Sequence, residues 1–319
     1  MPYRLRARES VRRGIKRIAE EEIDSAIKRL SNGKDRDEAV HDARKSVKKV
    51  RGAIRLVRFD FGKDFRQENA VFRDIGRKLS ELRDAQAMLE AFEALVKKYR
   101  EQLGTRTLDS IQRGLLARKE EFEKGTDADA VVADVVKDLR AERKRVTTWP
   151  LTSNGFAAVA PGLATTFKQG RKAFALAYAE STPENFHEFR KRAKDHWYHI
   201  RLLENLWTPV MEAYEATLKS LEQDLGDDHN LAVLRNIAMT DTTHFTNKRD
   251  VAALLKLMDA YQGELRLDAR NISERIYGQK PREFVAQMQH LWEAWKHESE
   301  RTWARKTLPV RRMVLASTA

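Results

Sequence analysis

Apolar residues recur at intervals of three and four through nearly the whole chain, as in "ELRDAQAMLEAFEALVKKY" and "FVAQMQHLWEAWKH". Alternating apolar and polar runs bounded by turns are scarce, so the pattern predicts an all-α protein. Glycine and proline fall mostly between the periodic runs, at Gly33, Gly62, Gly104, Gly125, Pro150, Gly155, Pro161, Pro183, Pro209, Gly278 and Pro281. Read as punctuation, they separate about eight long helices. Gly226 lies inside a periodic run, where a missing side chain permits close approach of another backbone or a ligand.

The chain also repeats itself. "VHDARKSVKKVRGAIRLV" aligns with "FHEFRKRAKDHWYHIRLL" at a constant offset of 146, with seven identities across positions 41 to 56. The same offset places Arg73 on Lys219, Leu79 on Leu225, Asp84 on Asn230 and Met88 on Leu234. This predicts a tandem duplication with about four helices in each half, residues 1–149 and 150–319, joined around Trp149 to Gly162.

On a helical wheel starting at His41, the residues Arg44, Lys45, Lys48, Arg51 and Arg55 fall within about 120°, while Ala43, Val47, Val50 and Ile54 occupy the other side. The second copy repeats the cationic stripe with His187, Arg190, Lys191, Lys194 and Arg201, although Trp197 stands at the register of Arg51. Like charges three and four residues apart repel on a helix. No acid within either stripe balances these, so a polyanionic ligand is expected to supply the counter-charge. From His41 to Arg55 the stripe runs about 21 Å, long enough to follow several units of a polymer. Arg66, Arg73 and Arg77 share a face of the following helix, which adds Arg73, Arg77 and Lys219 to the candidate site.

The formal net charge of +13 agrees with a polyanionic partner: nucleic acid, anionic lipid or polymeric phosphate. The absence of cysteine excludes disulfides, thiolate metal sites and cysteine nucleophiles. No stretch approaches the roughly 18 consecutive apolar residues of a membrane span, and the amino-terminal stretch lacks a signal-peptide core. Cytoplasmic residence is expected.

Glu38 and Glu184 each precede a stripe histidine by three, a spacing that di-iron bundles use. Both glutamates, however, sit at helix starts. Asp35 with Glu38 reads as a capping box, and Thr182, Pro183 and Glu184 as N-cap, first-turn proline and dipole partner. No metal or other cofactor is expected. His196 and His199 read as core histidines. Nucleic acid is the rival ligand, although no helix-turn-helix is evident, and Phe284, Trp292 and Trp295 fall at core spacing rather than between cations. An adaptor for phosphorylated partners would use the same cations.

The two stripe segments, together with "LSELRDAQAMLEAF" and "LGDDHNLAVL", resemble the CHAD family, the conserved-histidine α-helical domains. The resemblance implies two four-helix bundles related by pseudo-twofold symmetry around a basic central cavity that binds inorganic polyphosphate. Carried over, the contacting positions are His41, Arg44, Lys45, Lys48, Arg51, Arg55, His187, Arg190, Lys191, Lys194 and Arg201. Implied partners are polyphosphate itself, polyphosphate granules and polyphosphate-metabolising enzymes. Arg83 and Asp84 match the family's "RD", whereas the second half has His229 and Asn230. The E-x-E-x-K signature of the triphosphatase-type domain fused to some members is missing, so no catalysis is expected.

Overall fold

The computed structural model describes residues 3–33, 35–102 and 104–307. Among them are ten α-helices and no strand: α1 (Val11–Asn32), α2 (Arg36–Leu56), α3 (Phe65–Tyr99), α4 (Thr105–Gly125), α5 (Ala128–Arg145), α6 (Ala160–Ala179), α7 (Pro183–Leu202), α8 (Thr208–Thr240), α9 (Lys248–Ile276) and α10 (Pro281–Thr307). The all-α expectation holds, but the count is ten and not about eight, with five helices on each side of the joint instead of four. One extra break, between α8 and α9, lies in "DTTHFTN", which has neither glycine nor proline. There α8 ends at Thr240, and Asn247 starts α9 by accepting hydrogen bonds from the backbone N–H of Arg249 and Asp250. No described helix is long and apolar enough to cross a membrane.

Consecutive helices pack side by side, α1 on α2, α2 on α3, α6 on α7, α7 on α8 and α8 on α9. Two further contacts, α2 against α7 and α3 against α8, tie the early helices to the late ones. The larger core gathers Ile15, Ile54, Phe72, Phe167, Phe189 and Phe284 from α1, α2, α3, α6, α7 and α10. The smaller one gathers Leu95, Leu115, Leu234, Leu254 and Met258 from α3, α4, α8 and α9. Each core draws on residues from both sides of position 149, so the division of the sequence is not a division of the packing. The joint is itself packed: Trp149 is buried, donates from Nε1 to Glu68 Oε2 at 3.1 Å and meets Phe61 and Phe72 edge-on. Burying a side chain of this size stabilises the fold by about 2 to 3 kcal/mol.

Two glycines set how the early and late helices meet. At Gly52 in α2, an added Cβ would lie 2.8 Å from the Cβ of Tyr198 in α7, so the two helices cross backbone to backbone there. His199 reinforces the crossing, its Nε2 3.2 Å from the carbonyl oxygen of Gly52. At Gly162 in α6, an added Cβ would fall 1.9 Å from the carbonyl oxygen of Leu56, which seats α6 on the end of α2.

Candidate functional site

The stripe helices begin as their caps predict. Asp35 accepts from the backbone N–H of Glu38 at 3.1 Å, and Thr182 from that of Asn185 at 3.2 Å with Pro183 in the first turn. Beside the crossing at Gly52 and Tyr198, α2 from His41 to Lys49 and α7 from Arg190 to Arg201 bound a cavity of about 900 Å³, whose other walls come from α3, α4 and α8. His41, Arg44, Lys45, Lys48, Arg190, Lys194, Arg201 and Lys219 all line it. Four of these cations form two pairs at matching registers of α2 and α7: Arg44 with Arg190, and Lys48 with Lys194. The full lining holds ten Lys or Arg against six Asp or Glu.

Six expected residues lie elsewhere. Arg51 and Arg55 sit on α2 close to the crossing or beyond it. There Arg55 forms an ion pair with the buried Asp195, and Arg51 donates to Asn69 Oδ1 at 3.3 Å. Arg73 is exposed and paired with its neighbour Asp74, and Arg77 reaches the same carboxylate at 3.6 Å. Lys191 turns outward to Glu188 at 2.5 Å. His187 lies behind the lining, stacked on His229, which does line the cavity. On α2 the lining stops at Lys49, before the crossing at Gly52, whereas on α7 it continues past Tyr198 to Arg201, so the two stripes do not contribute alike.

The expectation of uncompensated cations also needs correction. Most are paired by acids from other helices or from their own. Lys194 forms an ion pair with Glu222, whose Oε1 lies 3.7 Å from Arg190 Nε. Arg201 lies 3.7 Å from Glu215, and Lys45 3.3 Å from Asp42. Among the stripe cations that line the cavity, Lys48 and Arg44 are the exceptions: neither has a hydrogen bond or ion pair among the described residues, and Arg44 Nε is buried without a partner, while the exposed Lys219 on α8 likewise has none. The offset of 146 accounts for the difference, because the position that carries Glu222 on α8 is occupied on α3 by Gly76.

Burial, and then the charges of Lys194, Arg44 and Arg190, hold the Lys48 ammonium well below the usual lysine range, with Glu222 pulling weakly the other way. Burial likewise lowers Lys194, but there Glu222 is the strongest opposing influence. The Arg44 guanidinium is lowered by burial and by Arg83 and Arg190, against Asp84. An anion placed among these groups would restore what packing removes from them.

The histidines follow the same logic. His41 is lowered by burial and by Lys45 and Arg83; Arg83 Nε donates to its Nδ1 at 3.4 Å. His187 is lowered by burial, Lys191 and Arg190, and His229 is pulled down to about 3 by burial, Arg190 and His187. His196 and His199 are fully buried, each pulled down to about 3 by burial above all, in keeping with core histidines.

Several lining residues were not among the expected contacts. Arg83 is buried, between His41 and Glu90. Trp197, which weakens the stripe's charge as the counterpart of Arg51, carries the Arg201 guanidinium 4.9 Å from its ring centroid and donates to Glu215 at 2.7 Å. Glu222 had no signal, since nothing in the order of residues places α8 beside α7. Gly226 does provide close approach: an added Cβ would meet the Arg190 guanidinium at 3.4 Å. The wall away from the cations includes Met88, Phe122, Val233 and Ile237. Among the described residues no group of three or more His, Asp or Glu is placed to hold a metal ion. The arrangement is suited to holding an anion.

A family model described as "CHAD domain" matches residues 17–238, more than half of the chain. The crystal structure of the CHAD domain from the plant Ricinus communis superposes with a TM-score of 0.52 at 17% identity, covering 91% of this chain and 96% of that one. At that identity the likeness speaks for the fold alone. No curated protein matches the chain.

Proposed function

The chain belongs to the CHAD domain family, and from that premise we propose that it is a non-catalytic protein that binds inorganic polyphosphate in the cavity bounded by α2 and α7. The observation that carries the reading is the convergence of Arg44, Lys48, Arg190 and Lys194 from two helices whose registers match at the offset of 146, with two of the four lacking any carboxylate partner. In this reading the two halves descend from one duplicated unit, and the cavity lies on their pseudo-twofold axis.

A polyphosphate chain fits such a site on physical grounds. Its charged units repeat at short intervals, Lys presents a point charge and Arg a fork to phosphate oxygens, and each contact releases condensed counterions. One partly screened pair at contact contributes roughly 1 to 4 kcal/mol before desolvation. Here part of the desolvation cost is already met in the free protein, because the cations are held away from water by the fold.

The test is competition among long-chain polyphosphate, duplex DNA, RNA and tripolyphosphate at two salt concentrations. Long-chain polyphosphate is expected to win at both. Nucleic acid winning at both would replace it as the ligand. Incubation with polyphosphate and a divalent metal should release no orthophosphate, and turnover that follows the pure protein would overturn the non-catalytic reading.

A further inference from the structure

The cavity is not cationic throughout. Along α8, the lining residues Gly226, Asn230, Val233 and Ile237 follow one another at steps of four, three and four, so they share one face over about 16 Å. The first of them meets charge, since a Cβ added at Gly226 would lie 3.4 Å from the Arg190 guanidinium, whereas the last two are branched aliphatics. α3 repeats the change in character. Asp84 lies in the field of Arg44 and Lys48, and Met88, one turn later on the same face, is apolar. The cavity thus has a cationic part and an apolar part, about 10 Å apart from Gly226 to Val233.

Phe122 lines the apolar part from α4. It belongs to neither of the two cores, and no side chain of α4 after Leu115 is buried. Polar contacts hold that half of α4 instead: Arg118 to Asp241 at 2.8 Å, Lys119 to Asp37 at 3.0 Å and to Gln86 at 2.8 Å, and Glu121 3.3 Å from His244. Anchoring the helix therefore does not account for a phenylalanine on its cavity side. Val233 and Ile237 pack on the smaller core yet are only half-buried, and both line the cavity. An inorganic phosphate chain brings nothing apolar to cover this wall, and apolar surface is removed from water favourably only by an apolar partner.

We propose that the cavity also binds diphosphate monoesters of aliphatic alcohols, with the diphosphate among Arg44, Lys48, Arg190 and Lys194 and the alkyl tail against Met88, Phe122, Val233 and Ile237. The head rests on the anion-binding function proposed for the cavity; the tail rests on the apolar wall alone. Lysine point charges and arginine forks suit the head, and burial of the tail removes apolar surface of both partners from water. Because the head takes the cations assigned to polyphosphate, ester and polyphosphate exclude one another.

Octyl diphosphate and methyl diphosphate carry the same head and differ only in the tail, so the ratio of their affinities in isothermal titration isolates the tail. In the wild type the octyl ester is expected to bind about tenfold more tightly, or better. Phe122→Ser, at a residue outside both cores, and Val233→Thr, which keeps the side-chain shape but adds a hydroxyl, should each lower the ratio several-fold and leave the methyl ester unchanged. Equal affinities in the wild type, or a ratio unmoved by both variants, would overturn the inference. Displacement of long-chain polyphosphate separates this site from the proposed function. If the octyl ester shows the expected ratios without displacing polyphosphate, polyphosphate binds elsewhere and the tail site stands. If polyphosphate binding depends on Lys48 and Lys194 while the two esters bind equally, the tail site alone fails.

Discussion

His187 stacks on His229 with ring centroids 4.1 Å apart, and the two positions equivalent at the offset of 146, His41 and Arg83, also meet, Nε to Nδ1 at 3.4 Å. Each stripe histidine thus touches the residue 42 positions later, but one partner is a permanent cation and the other a neutral ring. The surroundings disfavour protonation of all three imidazoles, each through burial first and nearby cations second.

Acid should therefore unfold this protein early. The clearest contributors are His196 and His199, fully buried and pulled down to about 3. Their folded pKa lies below the unfolded value near 6.5, so between those limits the unfolded chain binds protons that the native state refuses. Stability is present above about pH 6.5 and is lost as pH falls toward 3, at about 1.4 kcal/mol per pH unit for each histidine. Asp224, pushed up to about 6 by burial, Asp268 and Asp227, acts in the opposite sense and blunts the slope. Urea midpoints between pH 7.5 and 4.5 should fall steeply, and His199→Gln should make the dependence shallower by one proton. A flat profile would contradict the burial argument.

The Gly76 and Glu222 pair of positions predicts opposite substitutions with opposite effects. Gly76→Glu would place a carboxylate on α3 at the register from which Glu222 on α8 neutralises Lys194, and an added Cβ there meets only Val47 Cγ1 at 3.6 Å. Polyphosphate affinity should drop about tenfold, while the helix gains about 0.5 to 1 kcal/mol from losing a glycine. Glu222→Gln should bind several-fold more tightly and lose about 1 to 3 kcal/mol of stability, because Lys194 and Arg190 lose their carboxylate. Isothermal titration and thermal melts measure both.

Binding should also take up a proton. Lys48 is held well below the ordinary lysine range by burial and by Lys194, Arg44 and Arg190, with Glu222 the opposing charge. A bound polyanion favours the ammonium, so its pKa is higher in the complex than in the free protein. Affinity is then full below the free-state pKa and declines as pH rises through it. Calorimetry in two buffers of different ionisation enthalpy should show net uptake on the alkaline side, reduced in Lys48→Gln. Release of protons there would contradict the assignment.

The seat of α6 on α2 is rigid. Gly162→Ala puts a methyl group 1.9 Å from the carbonyl oxygen of Leu56, a clash with backbone that no rotamer relieves. A loss of about 3 kcal/mol or more is expected, at the upper end of overpacking costs, whereas Gly263→Ala, where nothing lies within 4 Å, should be neutral or stabilising. Denaturant midpoints of the two variants compare the sites directly.

Helical periodicity exposed the fold class, and the repeat at 146 exposed which helices matter, because both are properties of residue order. His41, Arg44, Lys45, Lys48, Arg190 and Lys194 were legible for that reason. Residue order does not say where two helices cross. It therefore could not separate Lys48, before the Gly52–Tyr198 crossing, from Arg55, beyond it and bound to Asp195. Nor could it find Glu222, which meets Lys194 only because α8 packs on α7. Acids on neighbouring helices are invisible to a wheel drawn on one helix, and so the stripes looked less compensated than they are.

Salt dependence of long-chain polyphosphate binding in the wild type and in Lys48→Gln, Lys194→Gln tests the central claim most directly. Each lost phosphate contact should reduce the slope of log affinity against log salt by about 0.7 to 0.9, so the double variant is expected to bind more weakly with a slope shallower by about 1.5. An unchanged slope and affinity in a variant of native helical content would contradict binding in the cavity.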